Sequence, residues 1–406
     1  MTKVVITGAV RTPFSRYGGT LKQVDSILLG KIVIEELIAR TKVPKNAIDT
    51  LYYGTCEPME TGVNINVYAR QAMLVAGLPP ETLSMTIDSA CCSSMDAVTF
   101  CKREIDAGLA KVGIGMGSEN MGRQVYYLPP EFKFGDRTGH IQLIDATRRG
   151  GNYTLPGLDA AATSFDAGKV ADEYGISRQA QDEWAVRSHE LYGKAYEAGK
   201  FKDEMIIPLQ IPQEKGNPLT ISIDEQYRKD SNLEKLAKLP TVWNSSTITA
   251  GNSPGINTGA AAVMVMSDTR AKELGVDPLA TYVHGTRLAG PHRYIAAAPG
   301  WAIQKILKET GMSLDDMKVI EINEAFAAMP LVSAKILTDG DAKKMKQLLD
   351  RTNVNGGAVA IGHPVGASGA RLVMTLAYEL RRRGGGYGVA AVCGGLCQAA
   401  ACIVKV

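Results

Sequence analysis

The sequence predicts an α/β fold of two similar halves, the first interrupted by a long insertion. Apolar runs of strand length alternate with runs of helical period along the 406 residues. Their order near the N-terminus returns near the C-terminus. In the second copy one strand is followed at once by GGLCQAAACIVKV. Its first-copy counterpart ends at GSEN (117–120), yet its apparent partner, GINTGAAAVMVMSD, comes only at 255–268.

The elements follow in order. Residues 4–9 read as a strand, 26–40 as an amphipathic helix and 49–54 as a second strand. Residues 85–87 lead into Cys91, after which Met95, Val98, Cys101 and Ile105 recur at helical spacing until Gly108 ends the run. Residues 111–117 form another strand. In the second half, 280–285 is a strand, 301–309 a helix, and 319–322 a strand running into Asn323-Glu324-Ala325-Phe326. A glycine-rich turn at 362–369 opens a helix over 370–383, and strands follow at 387–393 and 399–406. The intervening residues, 121–254, are polar and punctuated by Pro and Gly. A helical stretch at 178–191 sets Trp184, Ser188, Leu191 and Ala195 on one face. An excursion this long is more than a loop, and such insertions carry binding or assembly functions.

Composition narrows the class. At 45% hydrophobic and 21% charged, the chain is too apolar for disorder and long enough for two or three domains. It has no run of about 18 apolar residues to span a membrane. The opening MTKVVITGAVRTPF lacks the basic-then-apolar order of a secretory signal. A net charge of +3, without a basic block interleaved with aromatics, argues against nucleic acid and leaves small anionic ligands open. The seven cysteines (56, 91, 92, 101, 393, 397, 402) have neither metal-ligand spacing nor a secreted disulfide pattern. A reducing, cytoplasmic setting without a metal is expected.

Four places could carry chemistry. Cys91 sits between a strand and a helix among small residues (Ser89, Ala90, Ser93, Ser94), where the helix N-terminus is expected to lower its pKa. Taken alone, a buried cysteine is more often packing, and Cys56, Cys92, Cys101 and Cys402 are read that way. His363 lies on a glycine-lined turn stiffened by Pro364, where it could serve a thiol as general base. Cys393-Gly394-Gly395 ends a strand, and pairs a second thiol with backbone N–H groups suited to an oxyanion. Asn323-Glu324 also ends a strand, where polar residues face ligand clefts and could orient a water or the histidine.

Together, in this order, these motifs resemble the thiolases (acetyl-CoA C-acyltransferases, 3-oxoacyl-CoA thiolases). NVNGGAVAIGHPVGASG (353–369), NEAF (323–326), EYGISRQAQDEWAVRSHE (173–190), AGKFKDEMIIP (198–208), TITAGNSPGINTGAAAV (247–263) and YARQAMLVAGLP (68–79) carry the resemblance, which runs from Lys3 to Val406. It implies a duplicated α-β-α-β-α five-layered core with an inserted loop domain. Residues 1–120 with 255–278 would form the first half. Residues 121–254 would form a loop domain for coenzyme A binding and oligomerisation, and 279–406 the second half.

By the same resemblance Cys91 carries the acyl group, His363 activates it, and Cys393 moves the proton at the α-carbon. Asn323, through a water, and His363 would form one oxyanion hole; the N–H groups of Cys91 and Gly395 would form the other. The implied reaction is cleavage of a 3-oxoacyl-CoA by coenzyme A, a co-substrate rather than a bound cofactor, or the reverse Claisen condensation. Acyl-CoA degradation by beta-oxidation is the implied setting. Coenzyme A contacts would fall on Arg228, Ala250, Gly251 and Phe326.

This chain departs from the family pattern at several points. Asp88 and Cys92 flank the nucleophile where Asn, Ser or Thr and a small non-cysteine residue are usual. Leu396 and Cys397 replace glycines, and Pro254 replaces a serine that touches pantetheine. Ala162-Thr163 and Ile295 stand where short-chain members close the acyl pocket with His-Met and Met. An acyl group bulkier than acetoacetyl is therefore expected. Two alternatives are weighed against this reading. A ketoacyl synthase-like condensing enzyme would need His or Asn where Cys393 stands. An inactive or partner-dependent thiolase-fold subunit would keep the fold without the reactivity. Family members are dimers or tetramers, and YYLPPEFKFGDRTGHIQL (126–143) lies where tetrameric members place their assembly loop, so a homotetramer is expected ahead of a dimer.

Overall fold

The computed structural model describes residues 2–60, 66–135, 140–149, 161–213 and 215–406. Nine strands share one hydrogen-bonded path. They are β1 (Val4–Arg11), β2 (Thr50–Gly54), β3 (Leu83–Ile87), β4 (Val112–Asn120), β5 (Asn257–Ser267), β6 (Ala280–Ala289), β7 (Met317–Ile322), β8 (Tyr387–Gly394) and β9 (Gln398–Lys405). Their spatial order is β7-β8-β9-β6-β1-β5-β4-β2-β3, with Ser15–Arg16 adding a short tenth strand beside β5.

The path is nearly symmetric about the β1–β6 contact. Antiparallel pairs β1–β5 and β5–β4 on one side match β6–β9 and β9–β8 on the other. Parallel pairing then follows on both sides, through β4–β2–β3 and through β8–β7. Where β3 would recur, a single parallel bridge joins Ile320 to Thr352.

Seven helices position what matters here: α1 (Ser26–Thr41), α2 (Tyr68–Val75), α3 (Ser93–Asp106), α4 (Arg178–Glu197), α5 (Ala298–Thr310), α6 (Ala328–Leu337) and α7 (Ser368–Arg382). Helices α3 and α7 pack on each other between the two halves of the sheet, while α1 and α2 cover one outer face and α5 and α6 the other. Three cores fill the gaps. The outer ones centre on Ile34, Leu37 and Tyr53, and on Ile303, Ile306 and Val332; the middle one centres on Met95, Val98 and Met374. This is the five-layered α-β-α-β-α arrangement.

Strand β5 shows why the sequence looks as it does. Ala260, Ala262, Met264 and Met266 enter the outer core, while Ala261, Val263 and Val265 enter the middle one. A strand buried on both faces needs an unbroken apolar run, not an alternating one.

Caps set several boundaries. Asp25 accepts from the Leu28 N–H at 2.7 Å to start α1, and Ser177 accepts from Ala180 at 3.1 Å to start α4. Helix α5 starts at Ala298 rather than 301, because Pro299 suits a first turn. Helix α7 starts at Ser368 rather than 370. Helix α4 runs on to Glu197, and Tyr192, not Leu191, takes the buried position beyond Ser188.

The segment 121–254 is anchored by buried charge. Arg11 of β1 donates to both carboxylate oxygens of Asp224 at 2.7 and 2.9 Å and lies 3.5 Å from Glu204, all three fully buried. Removing one partner of such a pair costs about 3–5 kcal/mol. No helix among the described residues is long and apolar enough to cross a membrane.

Candidate active site

Cys91 follows a sharp turn between β3 and α3. Ala90 takes a left-handed backbone (φ +54°), a conformation that costs a non-glycine residue about 1–2 kcal/mol. Its N–H donates to Asp88 Oδ1 at 2.9 Å, and Ser93 Oγ accepts from the Ser89 N–H while donating to the Ala90 carbonyl. The turn is thus stitched on both sides, and Cys91 emerges one residue ahead of the helix cap.

His363 comes from the other half. Gly362, at φ +106°, turns the chain where a Cβ would press on Asn257, and Asn257 Oδ1 accepts the His363 N–H at 2.8 Å. Ser368 Oγ donates to the Pro364 carbonyl at 2.9 Å. Its one proton is therefore committed, and it accepts from His363 Nδ1–H at 2.6 Å. That leaves Nε2 as a lone pair, 3.2 Å from Cys91 Sγ.

Asn323, at the end of β7, brings Nδ2 to 3.4 Å from the same Nε2, and Arg371 Nη2 reaches Asn323 Oδ1 at 3.4 Å. Helices α3 and α7 are tied at their starts, where the Ala370 N–H donates to Ser94 Oγ at 2.9 Å.

Burial dominates the electrostatics. It lowers His363 to about 3, with the Arg371 charge adding to the effect, so the ring is neutral at pH 7. It raises the Cys91 thiol to about 12, aided by Glu119, Glu57 and Asp88. This corrects the expectation of a thiol acidified by its helix: Cys91 precedes the cap, and desolvation outweighs the dipole. The resting pair is a thiol beside a neutral imidazole. Cys393, at the end of β8, is fully buried and also pushed well up, by burial and then by Cys91.

Glu119 clamps the two halves together. Its carboxylate accepts from Thr55 Oγ1 (3.0 Å) and the N–H groups of Cys56 (2.8 Å), Glu57 (3.0 Å) and Gly366 (3.0 Å), the last on the His363 turn. Burial brings its pKa up to about 7.

A cavity of about 350 Å³ opens above the pair, with Cys91, His363 and Gly395 in its wall, and Ala162, Thr163 and Ile295 facing them. Asn323 and Cys393 are not part of that wall; they lie behind it. A second hollow of about 610 Å³ shares Tyr17, Trp243 and Phe326 with the first and adds Arg16, Arg228 and Ala250. Gly251 faces a third, of about 190 Å³, beside Arg228 and Ala250. The residues expected to meet coenzyme A therefore gather along one route that leads to Cys91.

The family model of the thiolase N-terminal domain matches residues 4–269, and that of the thiolase C-terminal domain matches 276–406. The chain belongs to the thiolase family. As a thiolase it is an acyltransferase. It is 40% identical over 406 residues to an acetyl-CoA acetyltransferase of Syntrophomonas wolfei, covering 99% of both chains. It is 39% identical over 413 residues to a beta-ketoadipyl-CoA thiolase of Acinetobacter baylyi, covering 100% of both. The crystal structure of human mitochondrial 3-ketoacyl-CoA thiolase in complex with CoA superposes with a TM-score of 0.91 at 33% identity, over 100% of this chain and 98% of that one.

The departures from the thiolase pattern have structural readings. Leu396 and Cys397 both adopt left-handed backbone (φ +56° and +59°), the conformation that favours glycine. Cys92 is buried, its Sγ 3.5 Å from the Val392 carbonyl, and it fills space under Gly394. Pro254 lines both hollows where they meet.

One expectation fails: Glu324 does not reach the histidine. Its carboxylate accepts from Trp184 Nε1, Ser188 Oγ, Asn353 Nδ2 and the Val359 N–H, all within 3.0 Å, and so holds α4 against the second half. Sequence reasoning missed Ser368, Arg371 and Glu119. Only Ser368, inside the GHPVGASG run, carried a local signal.

Proposed function

We propose that the chain transfers acyl groups through Cys91, cleaving a 3-oxoacyl-CoA with coenzyme A or running the reverse condensation. The observation that carries this is the 3.2 Å contact between Cys91 Sγ and an Nε2 lone pair whose tautomer Ser368 sets. In the cleavage direction Nε2 takes the thiol proton as sulfur bonds to the 3-keto carbon, so Cys91 need not stand as a free thiolate beforehand. The departing enolate develops charge where the newly protonated Nε2 and a water held by Asn323 Nδ2 can meet it. The N–H groups of Cys91 and Gly395 stabilise the tetrahedral intermediate. Cys393 protonates the enolate carbon, giving acetyl-CoA. Coenzyme A thiol then attacks the acyl-Cys91 thioester, giving its proton to the Cys393 thiolate, while the departing Cys91 sulfur takes back the proton held on His363 Nε2 and the shortened acyl-CoA is released.

Coenzyme A enters along Arg16, Arg228, Ala250 and Phe326, with cations at the outer end for its phosphates. Ala162, Thr163 and Ile295 are small enough to admit an acyl group bulkier than acetoacetyl. The exposed edge strand β3, with Leu83 67% and Met85 55% accessible, supports a homo-oligomer. Part of the expected assembly loop, 136–139, lies outside the described residues. All seven cysteines are free, in keeping with a reducing compartment such as the cytoplasm.

Coenzyme A-dependent cleavage across acetoacetyl, medium-chain, branched and aromatic 3-oxoacyl-CoAs tests the reading. Bulky members should be cleaved by the wild type and not by Cys91→Ala. Acetoacetyl-CoA as clearly the best substrate would refute the enlarged pocket, and no cleavage at all would refute the activity.

A further inference from the structure

The first turn of α7 sends two polar side chains towards the site. Ser368, its first residue, sets the tautomer of His363. Arg371 stands three residues on, along the same side of the helix, and reaches Asn323 instead. Glu321 of β7 and Asn323, just past the end of that strand, are two residues apart and share a side. Arg371 Nη1 sits 3.6 Å from Glu321 Oε2, and Nη2 donates to Asn323 Oδ1 at 3.4 Å. All three side chains are fully buried.

A buried guanidinium needs a reason beyond stability, because desolvation offsets what such a group gains from nearby carboxylates. Arg371 is also poorly matched as an ion-pair member. Its Nε and Nη1, and both Glu321 oxygens, have no hydrogen-bond partner among the described residues. Burial raises the Glu321 carboxyl, with the Arg371 charge opposing it, so Glu321 is a weak counter-charge. Among the described residues, the one hydrogen bond the guanidinium makes is to Asn323.

That bond decides which way the Asn323 amide faces. The two ends of an amide are nearly the same size, so shape alone does not choose between them. A guanidinium does choose: it only donates, and has nothing to offer an amide N–H. Oδ1 therefore turns to Arg371, and Nδ2 turns to His363 Nε2, 3.4 Å away. Flipped, Oδ1 would face the Nε2 lone pair, and a water bound there would spend a proton on Oδ1 rather than receive one.

We propose that Arg371 is a positioning residue for acyl transfer, which through Asn323 Oδ1 fixes the amide with its N–H donors towards the oxyanion. The inference rests on the reaction proposed above. Ser368 and Arg371, one helical turn apart, thereby orient both side chains that serve the enolate.

The test compares wild type with Arg371→Gln, Arg371→Lys, Asn323→Ala, and Arg371→Gln combined with Asn323→Ala. For each, kcat and KM are measured for coenzyme A-dependent cleavage of the 3-oxoacyl-CoA the wild type cleaves best, and acetylation of Cys91 by acetyl-CoA is read by intact mass. Arg371→Gln offers both a donor and an acceptor, and so leaves the Asn323 amide free to turn. It should lower kcat by about tenfold to a hundredfold, with KM changed by no more than about threefold. Arg371→Lys, which still only donates, should recover part of that loss. In the Asn323→Ala background, Arg371→Gln should cost no more than about threefold further. Equal fold-losses with and without Asn323 would make Arg371 a structural residue and overturn the inference. So would a loss carried mainly by KM, or an Arg371→Lys protein no faster than Arg371→Gln. Any of these, with Cys91 of the wild type acetylated, leaves the acyl-transfer reading standing. A wild type that neither becomes acetylated nor cleaves overturns that reading and this inference together. Should Arg371→Gln fail to fold, Arg371→Met takes its place in the cycle, and its loss must likewise vanish without Asn323.

Discussion

The two halves of the sheet are built alike and used differently. Pairing ends at Gly54 with Gly117 in the first half and at Ile322 with Ala391 in the second. Counting on from those pairs, Thr55 corresponds to Asn323 and Glu119 to Cys393. In the first half Thr55 Oγ1 simply donates to Glu119, and Glu119 spends all its capacity holding neighbouring loops. In the second half the same two places hold a side chain aimed at His363 and a buried thiol. Cys91 shows the reverse asymmetry. A parallel bridge joins Ser89 to Cys91, and its counterpart joins Val354 to Gly356. The first half then enters α3 at once, whereas the second inserts residues 357–367, and with them His363, before α7. Duplication supplies the scaffold. The site arises where the copies differ, across the seam between α3 and α7.

Substitutions at matched positions sharpen this contrast. The largest effect is expected at His363, where His363→Asn removes the base and should lower kcat by about 10² to 10⁴ with little change in melting temperature. Next, Asn323→Ala should lower turnover by about 10² to 10³, while Thr55→Ala at the corresponding place should leave turnover within a few-fold. Equal losses at both would break the division between chemistry and support. Glu119→Gln should act mainly on stability, by about 1–3 kcal/mol in denaturant unfolding, because an amide nitrogen would face N–H donors. The acidity of Cys91 offers a further check. With its thiol raised to about 12, the thiolate fraction grows tenfold per pH unit, so alkylation of Cys91 should keep climbing from pH 7 to 10. A plateau near pH 8 would mean that the helix, not burial, sets the thiol. The smallest effect is expected from Leu396→Gly, which relieves a left-handed backbone and should stabilise by about 1 kcal/mol, with no loss of turnover.

What the sequence disclosed follows from how locally each feature is encoded. The order of strands and helices, and the turns carrying Cys91 and His363, are written in contiguous residues: small residues at the elbow, glycines around the histidine, apolar runs matching their strands. The same holds for the strand-end positions of Asn323 and Cys393. Features that depend on distant partners were not legible. Glu119 gains its role from loops at 55–57 and 366, and Arg371 acts through Asn323. The thiol pKa was misjudged for the same reason. A helix start is visible in sequence, but the packing that dries the site is not. Glu324 was misplaced because nothing nearby announces that Trp184 and Ser188 will reach it.

Under the proposed function the first half supplies the nucleophile and the second half the proton traffic. Intact-mass analysis after acetyl-CoA treatment of wild type, Cys91→Ala and Cys393→Ala, with turnover measured on the same samples, tests this directly. One acetyl adduct on wild type and on Cys393→Ala, none on Cys91→Ala, and no turnover in either variant is the predicted result. An adduct that persists in Cys91→Ala, or turnover that survives in Cys393→Ala, would contradict it.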